Sequence, residues 1–176
     1  MRFRSDQLGT PRSAVGRLPS SRGFSLIELL IVVAIILIIA AIAIPNFTRA
    51  RIAAREAAAV AACKKIATAE VVYSTTYGRG FSARLSYLGP PIGGGVVGPT
   101  AAELLDEMLA GGTKHGYIFT YTPIDTNGDG ISESFTVNAD PQSPGITGVR
   151  HFFIDTSGVI RQNATAPATA SDTPIG

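Results

Sequence analysis

Tryptophan is absent from these 176 residues, cysteine occurs once, and histidine occurs twice. One cysteine, Cys63, excludes an intramolecular disulfide framework. His115 and His151 are both distant from Cys63 in sequence, so no thiol–imidazole pair is composed. Cys63 lies in an alanine-rich stretch and reads as a small buried hydrophobe. The triplet Gly93-Gly94-Gly95 has no Lys-Ser/Thr after it, which removes the phosphate-loop reading. With no nucleophile–base pair, ligand cluster or cofactor loop at working spacing, no enzyme is expected. Basic residues are also scarce where they would matter. The formal charge is +2, but the first 23 residues hold Arg2, Arg4, Arg12, Arg17 and Arg22 against Asp6 alone. Without them ten cations face twelve acids, a net −2. That balance gives no support for nucleic-acid binding, which needs clustered Lys/Arg on the folded part.

What the chain does have is an apolar run from Phe24 to Ile44, broken by one carboxylate, Glu28. About 20 apolar residues at 1.5 Å each span a bilayer. A charge at that depth costs roughly 2.5–3.5 kcal/mol on insertion scales, so Glu28 needs a partner and marks a functional site. Two ordinary readings exist for positions 1–44. A secretory signal has a basic start, an apolar core and a small-x-small pattern, here Ala41-Ile42-Ala43. Its apolar core is usually shorter and carries no acid. A plain membrane anchor fits the length and leaves Glu28 unexplained.

The string Gly23-Phe24-Ser25-Leu26-Ile27-Glu28, followed by uninterrupted Leu/Ile/Val/Ala, resembles the N-terminus of type IV prepilins and type II secretion pseudopilins. The resemblance implies cleavage after Gly23 by a membrane peptidase that then N-methylates Phe24. It implies a pilin-like α+β fold, a long N-terminal helix packed on a small antiparallel sheet. Residues four apart on a helix share a face, so Phe24 and Glu28 are expected on one side. The new amine of one chain's Phe24 would then meet Glu28 of a neighbour, recovering part of the cost of a buried charge. The basic leader favours a cytoplasmic N-terminus, although Arg49, Arg51 and Arg55 beyond the run make the bias modest. Those three arginines read as a snorkelling rim at the membrane boundary, with lipid headgroups or a neighbour's acids as the alternative.

Pro45 follows the apolar run and predicts a bend. Helical periodicity then continues to about Tyr77. Ile52, Glu56, Ala59, Cys63, Ile66, Ala69, Tyr73 and Tyr77 fall three or four apart and mark one buried side. The expected organisation is a leader at 1–23, an assembly helix at 24–44, its amphipathic continuation at 45–77, a globular α+β domain at 78–163 and a disordered tail at 164–176. Within the domain, the capping pattern Thr100-Ala101-Ala102-Glu103 predicts a short helix through 110. Its buried side would be Leu104, Leu105, Met108 and Leu109. Strands are predicted at 116–123, 131–138, 149–155 and 159–161. Arg150 and His151 read as an exposed strand pair.

Between the first two predicted strands, Asp125-Thr126-Asn127-Gly128-Asp129-Gly130 has the opening spacing of a calcium loop. Asp125, Asn127, Asp129 and Glu133 are the candidate Ca²⁺ ligands, with the Ile131 carbonyl beside them. Thr136 stands where a bidentate Glu belongs and no helices flank the loop, so it is not an EF-hand. Asn-Gly and Asp-Gly also favour a plain hairpin turn.

The expected function is a structural subunit of a type IV pilus-like filament in a bacterial inner membrane, its domain periplasmic before assembly. Its partners would be copies of itself, the prepilin peptidase/methylase, and an inner-membrane assembly platform with its ATPase. The alternatives are a type II secretion pseudopilin forming a short periplasmic filament, and a monomeric membrane-anchored binding module.

Overall fold

A computed structural model describes residues 23–175. The expected leader therefore lies, apart from Gly23, outside the described residues. Two units divide between Ile42 and Ala43. In the first, residues 26–42 belong to helix α1, Leu26–Tyr77, and all but Ala40 are exposed. Apolar all round except for Glu28, and uncovered among the described residues, this segment suits lipid or a bundle of like helices.

In the second unit α1 is one-sided. Glu56, Ala59, Cys63, Ile66, Ala69 and Tyr73 of the predicted face are buried; Ile52 and Tyr77 are half-buried at its ends. Pro45 sits inside the helix. The helix stops at Gly78, whose φ of 61° is left-handed and whose N–H donates to the Ser74 carbonyl at 3.0 Å. This is the αL stop that glycine permits without a Cβ penalty. Cys63 is fully buried, and desolvation pushes its thiol up to about 12.

The sheet has six antiparallel strands in sequence order: β1 Thr113–Lys114, β2 Tyr117–Ile124, β3 Ser134–Pro141, β4 His151–Asp155, β5 Arg161–Asn163 and β6 Thr173–Pro174. The centre is the β2–β3 hairpin, paired from Tyr117↔Pro141 to Ile124↔Ser134. Along β3, Phe135, Val137, Ala139 and Pro141 are buried and the residues between them are not, the period of two that a half-covered strand requires. Tyr117, Phe119, Phe135, Val137, Phe152 and Ile154 meet Ala59, Cys63 and Ile66 of α1 in one core. The architecture is α+β, a long helix packed on an antiparallel sheet, as expected.

Three local expectations fail. The helix predicted from position 100 reduces to α2, Glu107–Ala110, capped by Asp106 through Leu109 N–H. The N–H groups of Ala102, Glu103, Leu104 and Leu105 are spent on carbonyls of Tyr87, Gly89 and Leu88, and Glu103 sits at φ 56°. Met108 consequently points outward, 64 % exposed. The second and fourth predicted strands are shifted toward the C-terminus, to β3 and β5. The tail from Ala164 through Ile175 is ordered rather than disordered. Ala168 is buried, its carbonyl accepts from Asn138 Nδ2 at 2.7 Å, and β6 pairs with β5. Asp172 ties this turn together, accepting from Asn163 Nδ2 at 2.9 Å and Thr169 N–H at 2.7 Å.

Candidate assembly site

Gly23 is exposed, and a side chain added there would meet nothing within 4 Å. Phe24, 75 % exposed, and Ser25 precede the helix; α1 begins at Leu26, and the Ser25 carbonyl accepts Leu29 N–H at 3.2 Å. Glu28 thus falls in the first helical turn and is exposed. Its carboxylate lies where unpaired backbone N–H groups and the helix dipole favour negative charge. Ser25 and Glu28 also stand at the N-cap and third positions, the spacing of a capping box. Among the described residues Glu28 forms no ion pair. In the intact chain the Phe24 nitrogen is an amide and carries no charge.

The loop between β2 and β3 brings Asp125, Asp129 and Glu133 together, with carboxylate oxygens within 4.8 Å of one another, all exposed. Each is already engaged. Asp125 accepts the N–H groups of Gly128 at 2.7 Å and Gly130 at 2.9 Å, and these, led by Gly130, hold its carboxyl below the usual range. Asp129 accepts from Ile131 N–H at 2.8 Å, and Glu133 from Thr126 N–H at 2.7 Å. Asn127 turns its oxygen to Asp129 N–H at 2.9 Å and its amide nitrogen to the Asp129 carboxylate at 3.1 Å. As it stands, the loop is a self-satisfied chain reversal.

Two buried carboxylates fasten α1 to the rest of the second unit. Glu56 Oε1 accepts the N–H groups of Val149 at 2.8 Å and Arg150 at 3.1 Å, and Oε2 accepts Arg150 Nε at 2.7 Å. Burial alone would raise its pKa, but the two backbone N–H groups and the guanidinium outweigh that and hold it low. Arg150 also donates to Gln162 Oε1 at 2.6 Å, so it is a helix-to-sheet tie rather than half of an exposed strand pair. His151 Nδ1 lies 2.5 Å from Asp140 on the adjacent strand. Glu70 is fully buried and, among the described residues, forms no ion pair. It accepts from Ser82 N–H at 2.9 Å and Ser82 Oγ at 2.5 Å, and burial wins, raising its pKa. Sequence periodicity placed Glu56 on the buried face but named no partner for it. It missed Glu70 altogether, because an acid on an apolar face gives no sign of being satisfied by a loop twelve residues away.

Comparison with known proteins bears on the first of these sites. Residues 18–44 match the family described as the prokaryotic N-terminal methylation motif. That match spans the Gly23-Phe24 junction, Glu28 and the whole apolar run. The chain is also 52 % identical over 52 residues to the type IV major pilin protein PilA of Myxococcus xanthus. The shared segment is 30 % of this chain and spans about a quarter (24 %) of that protein. No solved structure matches the chain significantly. The chain is thus pilin-like at its N-terminus, with the methylation motif and, among the described residues, one helix long and apolar enough to cross a membrane.

Proposed function

We propose that this chain is a structural subunit of a type IV pilus-like filament. A prepilin peptidase cuts after Gly23 and methylates the new amine of Phe24. The mature chain waits in a bacterial inner membrane, N-terminus cytoplasmic and domain periplasmic, until a platform and its ATPase draw it into the filament. The observation that carries this reading is Glu28, the one charged residue in the largely exposed apolar segment from Phe24 to Ile44.

The energetics give that carboxylate its weight. Moving the helix from lipid into a bundle of like helices gains no hydrophobic free energy, because both surroundings are apolar. Packing and the charge pair must select the neighbour. An ammonium on Phe24 of one subunit and Glu28 of the next attract strongly in low dielectric and so set the axial register. The similarity to a protein described as a major pilin covers the N-terminal segment, whose motif resembles pilins and pseudopilins alike, so the short secretion pseudopilus stays the second reading.

Mass analysis of the protein from membranes tests the processing step. A chain beginning at methylated Phe24 is expected; an intact Met1, or a start at Ile44, would contradict it. For the Asp125–Gly130 loop, chain reversal is the first role. The convergence of three carboxylates favours calcium binding as a second. Calorimetric titration with no heat, and no shift in thermal midpoint, would remove calcium.

A further inference from the structure

Past Ile44 the surface of α1 changes character. Arg49, Arg51 and Arg55 place three cations within seven positions, and among the described residues none forms an ion pair with a carboxylate. Arg55 Nη1 donates to the Ile146 carbonyl at 3.0 Å, which fastens the 145–149 loop to the helix. Between helix and loop lies a cavity of about 190 Å³ lined by Thr48, Arg51, Arg55, Gly145 and Ile146.

The walls of this cavity are of two kinds. On one side are two guanidiniums and a hydroxyl. A guanidinium presents a planar fork of donors that matches phosphate oxygens, and two without a carboxylate partner leave an anion's place open. The Arg51 guanidinium also lies 5.8 Å over the ring of Phe47, which stands outside the cavity; the cavity's other side is Ile146, 69 % exposed. A free inorganic anion has no use for that apolar wall. A phosphate attached to a glycerol and acyl chains does.

We propose that this pocket binds the phosphate headgroup of a membrane phospholipid, with Ile146 against the start of its apolar part. The proposal rests on the reading of residues 24–44 as membrane-embedded. At 1.5 Å per residue the lining residues Thr48, Arg51 and Arg55 follow Ile44 by about 6, 10 and 16 Å, the first two close to headgroup depth and the third beyond it. Helical side chains lean toward the N-terminus, here back toward the apolar run. The bound lipid fixes the depth of the waiting subunit. A neighbour's carboxylates are the competing occupant.

The test uses the full chain reconstituted in nanodiscs of phosphatidylcholine and phosphatidylglycerol. The protein is released into mild detergent, and retained phospholipid is counted by native mass spectrometry. A basic residue near a lipid surface contributes about a fivefold factor in affinity. Arg51→Gln, which breaks no hydrogen bond within the protein, should weaken retention about fivefold, and Arg51→Gln/Arg55→Gln about 30-fold. Arg79→Gln should change nothing, and excess inorganic phosphate should not displace the lipid. Equal retention by wild type and both variants would overturn the proposal. So would displacement by phosphate, which would assign the pocket to a soluble anion. Unchanged lipid retention with loss of cross-linked oligomers in the variants would overturn it in favour of a neighbour's acids. Carbonate extraction separates the two levels. Release of wild type from membranes would sink the membrane reading and this proposal with it, whereas embedded chains with equal lipid retention sink this proposal alone.

Discussion

Replacing Glu56 with alanine should be the most damaging single change in the second unit outside its apolar core. The carboxylate is 5 % exposed and satisfies three donors at once: Val149 N–H, Arg150 N–H and Arg150 Nε. Each backbone N–H left unpaired costs about 1–3 kcal/mol. The guanidinium adds less than a buried charge would, because Arg150 is 41 % exposed and keeps Gln162. The total is about 3–5 kcal/mol, the range for breaking a buried ion pair. At this size that lowers the thermal midpoint by about 10–15 °C. Glu56→Gln separates the parts. Its oxygen can keep both backbone donors, but its amide faces Arg150 Nε, donor against donor, so about half the loss is expected. The assay is urea unfolding of a fragment beginning at Ala43, followed against pH. Glu56 has a lowered folded pKa, so its stabilisation is present above the ordinary carboxylate pKa and is lost as pH falls through the folded value. The gap between wild type and Glu56→Gln should therefore close in acid. A loss under 1 kcal/mol for Glu56→Ala, or a gap independent of pH, would refute the tie.

Glu70 should behave oppositely. Its folded pKa is raised, so its contribution is full below the unfolded carboxylate pKa and is lost as pH rises through the folded value. Glu70→Gln should flatten that fall in unfolding curves taken from mildly acidic to neutral pH, and an unchanged slope would contradict a buried, uncompensated acid. Gly148→Ala should destabilise by about 1–3 kcal/mol, because the added carbon would overlap the buried Tyr117 hydroxyl, which donates to the Arg150 carbonyl at 2.8 Å. A thermal midpoint within error of wild type would mean that the loop carrying Arg150 is not held against Tyr117.

What could be read from the chain in advance was whatever repeats at short range. The buried face from Glu56 to Tyr73 follows from spacing, since one helix period governs it throughout. The alternation of Tyr117 and Phe119 is local in the same way. The misses share a cause: backbone groups taken by distant partners. Positions 102–105 had a helical pattern, but carbonyls of the 85–89 turns claimed their N–H groups first. The tail had a disordered composition, yet Asn138 and Asp172 supply the polar partners that order it. At the candidate site, the motif named Gly23, Phe24 and Glu28, all inside the matched segment 18–44. It did not reveal that Phe24 precedes the helix, so that in the intact chain the Phe24–Glu28 spacing is not one between two helical residues.

Two roles compete for Glu28, capping the first turn of α1 and neutralising a neighbour's amine, and one substitution divides them. Glutamine serves the capping box as glutamate does but carries no charge. Electron microscopy of cells expressing Glu28→Gln, with membrane fractions checked for processed protein, is the direct measurement. Cleaved, membrane-resident subunits with filaments absent or greatly reduced are predicted. Filaments of normal number and length from that variant would contradict the charge pairing on which the account stands.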